Sequence, residues 1–251
     1  MSAHLAMRSG NPVLTEDTFR VPRVRSADDA MTIGGAVNKT ALALLILLVA
    51  ASYTWNLAPG DPRVAMLTLV GLIGGLIAAI ATVVRKEWAP VTTPAYAALE
   101  GLVLGGVSVG FEARYPGLVS QAVFLTFGVL GVLLLAYRSG MIRATENFKL
   151  GIFAATGGIA LIYLINFVMS FFGSGIPMIH SSGTFGIVFS VIVVGVAALN
   201  LVLDFDFIEQ GAEHGAPKYM EWYGAFGLLV TLVWLYLEIL HLLAKLQSRQ
   251  R

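Results

Sequence analysis

Seven long apolar stretches follow one another along the chain, each free of Asp, Glu, Lys and Arg or broken by a single carboxylate. They run Thr40 to Leu57, Val64 to Val84, Ala89 to Phe111, Pro116 to Tyr137, Leu150 to Phe172, Phe185 to Leu203 and Trp222 to Leu243. An α-helix rises about 1.5 Å per residue, so about 20 apolar residues cross the ~30 Å hydrocarbon layer of a bilayer. Each stretch is close to that length, and the pattern predicts seven membrane-spanning helices. Short alternating segments, the mark of a membrane β-barrel, are absent. Between the stretches lie turn and charge signals: Pro59-Gly60-Asp61-Pro62, Arg85-Lys86-Glu87, Arg114-Tyr115-Pro116-Gly117, Arg138-Ser139-Gly140, Gly173-Ser174-Gly175-Ile176-Pro177 and Glu209 to Lys218. The expected fold is an all-α, polytopic integral membrane protein with seven transmembrane helices in one bundle.

Composition strengthens that reading. Hydrophobic residues make up 57% of the chain and charged ones 12%, with a mean hydropathy of +0.79, far from what a water-soluble domain of this size needs for its surface. A net charge of +1, with basic residues at segment ends, leaves no footprint for nucleic acid. The absence of cysteine removes disulfides, thiolate nucleophiles and Cys-ligated metals.

The first 39 residues carry Arg8, Arg20, Arg23, Arg25 and Lys39 among Ser, Asp, Pro and Thr, without a sustained apolar run. They read as a flexible basic cytoplasmic arm, followed by a membrane domain at 40–244 and a short polar tail at 245–251. The first apolar run begins too late and continues too long for a cleavable signal peptide. Lysine and arginine are retained on the cytoplasmic side. Placing the N-terminus inside puts eleven of them there, against five opposite: Arg63, Arg114, Lys245, Arg249 and Arg251. The chain is therefore expected in the cytoplasmic membrane as a monomer or weak oligomer, with the lipid bilayer as its first partner and the tail outside unless the seventh segment is re-entrant.

Small residues recur at helical spacing in three places: Gly71, Gly74, Gly75 and Ala78; Gly101, Gly105 and Gly106; and Gly151, Gly157 and Gly158. Such residues let helix backbones approach in lipid, so packing is the default reading. Carboxylates inside apolar spans are more informative, because each is expensive unless it is paired, hydrated or used. Glu100 interrupts the third span and Glu238 the seventh, while Asp204 and Asp206 close the sixth. No Lys or Arg lies deep in any span to neutralise them. Asp206 and Glu209 read as solvated groups at a helix end. Glu100 and Glu238 cannot, and are either functional groups or protonated, hydrogen-bonded structural ones.

The run Asp204-Phe205-Asp206-Phe207-Ile208 and the later Leu235-Tyr236-Leu237-Glu238-Ile239-Leu240 together resemble the Bax-inhibitor-motif family, whose bacterial members include the YccA-like proteins. The Gly-rich run from Tyr96 to Gly105 is similar to that family's third helix, and the resemblance covers Thr40 to Leu243. It implies a pH-sensitive calcium leak in which two acids, on the sixth and seventh helices, share a proton and close the pore. By position these are Asp204 and Glu238, with Glu100 and Asp206 in support, and Ca²⁺ held transiently by the pair as the permeating ion. No resident cofactor is implied. This sequence has Glu where the family's leak proteins usually have Asp, and a longer connection between the two acids. Pairing then requires a non-spanning stretch before the seventh helix or an unusual tilt; otherwise Glu221 or Asp206 is the nearer partner.

Other classes fit less well. No H-E-x-x-H or G-x-S-x-G motif is present, and His4, His180, His214 and His241 are scattered, so the chain is not expected to be an enzyme. Ser181 and Ser182 beside His180 read as loop residues. A retinal protein needs a lysine within the seventh helix, and Lys245 stands at its end. The remaining alternative is a non-conducting interaction protein that modulates a membrane protease or another membrane complex through the arm.

Overall fold

A computed structural model describes residues 29–172 and 183–249, and 86% of these are helical. The helices are α1 (Ile33–Trp55), α2 (Pro62–Val84), α3 (Ala89–Arg114), α4 (Leu118–Arg138), α5 (Glu146–Ser170), α6 (Thr184–Glu213) and α7 (Met220–Arg249), with a 3₁₀ turn at Lys86–Trp88 before α3. All seven are long and apolar enough to cross a membrane. The protein is an all-α polytopic membrane protein.

Local chemistry sets the helix ends. Thr32, Asp61 and Thr145 cap α1, α2 and α5, each side chain accepting a bond from a backbone N–H in the first turn, which satisfies one of the otherwise orphaned donors. Pro62 follows Asp61 at the first helical position, where its missing N–H is harmless. Gly117 and Gly140 take φ of 82° and 73°, a left-handed backbone that glycine adopts without strain. Both lie in turns that the sequence signals predict. Within the spans, five hydroxyls find a partner in their own helix: Thr40, Thr68, Thr82, Ser108 and Thr126 each donate to the carbonyl four residues back. In hydrocarbon, where water cannot help, this is the available partner.

Three boundaries differ from the apolar pattern. Helix α1 starts at Ile33, so residues 33–39 are its first turns and not part of an arm. Helix α6 runs on to Glu213, which places Asp204, Asp206 and Glu209 inside a helix. Helix α7 continues to Arg249, so 245–249 belongs to the last helix and not to a polar tail. Most of the expected arm, and the loop at Gly173 to Ser182 with His180, lie outside the described residues.

The chain divides into two compact units. The first comprises α1, α2 and α3 with residues 204–230, the end of α6 and the start of α7. Here α3 packs against both α1 and α2. A Cβ on Gly101 or Gly105 would collide with the carbonyl of Leu47 or Ala51 on α1, and one on Gly71 would meet the Leu99 carbonyl. Glycine is needed at these positions because the backbones touch. The second unit comprises α4, α5, the start of α6 and residues 231–249 of α7. There Gly151, Gly157 and Gly158 face open space, so the third small-residue cluster has no packing role within the described residues. Most of α7 is buried, which sets this helix apart from α2, where Leu69, Leu72, Ile73, Leu76 and Ile77 are exposed as lipid-facing residues are.

Candidate functional site

Glu238 sits mid-helix on α7 and is 6% exposed. Its Oε1 accepts two hydrogen bonds, from Tyr163 Oη of α5 at 2.8 Å and from Trp234 Nε1, one turn earlier on α7, at 3.2 Å. Trp234 can reach because residues i and i+4 share a helix face. Indole N–H is only a donor, and the phenol donates here, so Oε1 is an acceptor in both bonds. The Tyr163 ring is in turn set edge-on against Phe189 of α6, with centroids 6.3 Å apart. A mid-span carboxyl is thus oriented through Oε1 by neutral donors.

The other carboxylates occupy different settings. Asp204 is fully buried in α6. Asp206, half-buried, accepts from Gln210 Nε2 at 2.6 Å, again one turn along the same helix. Glu100 is half-buried on α3, where a Cβ on Gly75 of α2 would lie 3.4 Å from its Oε2, within ordinary contact distance. Asp204 belongs to the first unit and Glu238 to the second. Among the described residues no group of three or more His, Asp or Glu side chains could hold a metal ion.

A further acid, Glu221, which the sequence singles out only as a substitute partner, holds several partners. It is fully buried in the first turn of α7. Thr32 donates to its Oε1 through both N and Oγ1 at 3.0 Å, Lys39 Nζ lies 3.0 Å from Oε2, and Lys218 Nζ lies 3.8 Å from Oε1. A Cβ on Gly35 would collide with this carboxylate. The negative charge therefore sits at the N-terminus of α1, where the helix dipole favours it. Backbone bonds extend the junction: Met31 N donates to the Ala216 carbonyl at 2.6 Å and Lys218 N to that of Asp29 at 2.8 Å, flanking an isolated antiparallel bridge between Ala30 and Pro217. Nearby Tyr219, in the connection between α6 and α7, has its phenol pushed up by burial, with the Glu87 carboxylate adding to the effect.

Compared with known families, the chain matches the model of Bax inhibitor 1 like proteins over residues 11–248. That match includes all the acids above and reaches past Thr40 into the basic N-terminal region. No curated protein matches the chain.

Proposed function

The chain belongs to the Bax inhibitor 1 like family, and from that premise we propose that it is a pH-sensitive calcium leak of the cytoplasmic membrane, gated by Asp204 and Glu238. The observation that carries the reading is the setting of Glu238: mid-span, 6% exposed, with Oε1 held by two neutral donors. A negative charge held in mid-span is expensive without a proton or a cation to offset it. Asp204, fully buried in α6, is the second acid. Carboxylate oxygens are also the ligands that Ca²⁺ prefers, so the deprotonated acids would attract the ion that permeates. The distribution of lysine and arginine supports a cytoplasmic N-terminus, which reporter fusions after Lys39, Arg114, Arg143 and Lys218 would check.

The test is calcium flux into liposomes that contain the pure protein and a calcium dye. Wild type should conduct, and its flux should depend on pH. Asp204→Asn and Glu238→Gln should each flatten that dependence, and Asp206→Asn should change it less. No flux from wild type, or full pH dependence in both variants, would replace this reading with that of a non-conducting modulator of a membrane protease or stress-response complex.

A further inference from the structure

Lys245 lies two turns beyond Glu238 on α7 and on the same face, since seven residues bring an α-helix back to within about 20°. A lysine near the end of a membrane helix ordinarily extends its ammonium to water. This one is half-buried and turns to α6, donating to Ser190 Oγ at 2.8 Å and to the Gly186 carbonyl at 3.2 Å. Beside Ser190, Phe189 packs on the ring of Tyr163, and Tyr163 donates to Glu238. Within this one unit, α5, α6 and α7 form a closed circuit of contacts, with Glu238 at one point and the Lys245 ammonium at another. His241, exposed, lies on the same side of α7 between them.

We propose that Lys245 is the cationic gate residue for Glu238: pinned to Ser190 and Gly186, its ammonium bars divalent cations that approach the carboxylate from the C-terminal end of α7. The inference rests on the leak reading above and adds to it a residue outside the acidic pair. By helix rise the two positions are separated by about 10 Å, and at that distance, with an effective dielectric of about 40 at the helix end, a unit charge changes the occupancy of a divalent ion roughly tenfold. The tether supplies the geometry, because an ammonium free to swing into water would be screened.

Calcium flux at fixed pH into dye-loaded liposomes tests the gate, using full-length wild type, Lys245→Met, Lys245→Arg and Ser190→Ala. Lys245→Met should raise flux about tenfold. Lys245→Arg keeps the charge and should stay within about twofold of wild type. Ser190→Ala removes one anchor and keeps the ammonium, so it should give a smaller rise; it serves as the deciding variant if Lys245→Met does not fold. Equal flux from a conducting wild type and from these neutralised or untethered variants overturns the gate and leaves the leak reading intact. Absence of flux from every protein overturns both, since a gate requires a path.

Discussion

Lys39 Nζ lies 3.0 Å from Oε2 of the fully buried Glu221, which joins the second turn of α1 to the first turn of α7. The same carboxylate receives both donors of the Thr32 cap. A buried ion pair is poor evidence of net stabilisation, but removal of one partner leaves a charge stranded, typically at about 3–5 kcal/mol. Lys39→Met should therefore lower the unfolding midpoint in detergent, and the double variant Lys39→Met with Glu221→Gln should recover part of the loss. Equal midpoints for wild type and Lys39→Met would show that Thr32 and Lys218 suffice. Deleting residues 2–32 should also destabilise the protein, because it removes the Thr32 donors together with the backbone bonds of Asp29 and Met31.

Glycines in two helices predict opposite outcomes. Gly101 and Gly105 of α3 face carbonyls of α1 so closely that no Cβ fits, whereas Gly157 and Gly158 of α5 face open space. Alanine at 101 or 105 should separate α1 from α3 and lower the detergent melting temperature, with a penalty of about 1–3 kcal/mol for overpacking. Alanine at 157 or 158 should be neutral or stabilising by up to about 1 kcal/mol, the difference in helix propensity. A thermal-stability comparison of the four single variants decides it, and equal losses at all four would defeat the packing argument.

At the start of α2, Asp61 caps the helix and pairs with Arg63 at 2.7 Å. The Arg63 side chain and N–H hold the Asp61 carboxyl below its usual range. A carboxyl with a lowered folded-state value stabilises the fold above the ordinary carboxylate range, and that contribution fades as pH falls through the folded value. Asp61→Asn should thus be less stable than wild type at pH 6, and the difference should close below about pH 4. Parallel thermal scans at several pH values would show it; a gap that persists unchanged into acid would exclude Asp61 ionisation as its source.

The sequence announces the seven spans because lipid imposes a length and a polarity that few residues can evade. Their ends are less legible. Helix α1 starts at Ile33 and not at Thr40 because Thr32 is fixed by Glu221, a contact between residues far apart in sequence that no local pattern contains. Glu221 itself stands between Lys218 and Trp222, where a carboxylate looks like any solvated charge at a membrane boundary. Glu238 is found by the expense of an acid in mid-span, but Tyr163 is one ordinary aromatic residue in an apolar helix, and only the fold brings its hydroxyl to the carboxyl. The glycine clusters show the same limit: spacing identifies small residues on a face, and the neighbouring helix decides whether they matter.

The bond from Tyr163 to Glu238 is the contact on which the candidate site is most directly testable. At 2.8 Å, with Glu238 buried, it joins α5 to α7 within two apolar spans. Tyr163→Phe removes the donor and preserves the ring that packs on Phe189. The lost bond should lower stability by about 1–2 kcal/mol, since the acceptor remains buried with only the Trp234 donor still in place. In a Glu238→Leu background no acceptor exists, so the same change should be close to neutral there. The double-mutant cycle isolates the coupling, because the effects of the ring and of general packing cancel between the two backgrounds. A penalty for Tyr163→Phe that is equal in the wild-type and Glu238→Leu backgrounds would place the tyrosine in packing alone. If coupling is found and Tyr163→Phe also alters calcium flux in liposomes, the donor helps to set the carboxyl that the leak depends on; coupling without a change in flux would confine Glu238 to a structural role.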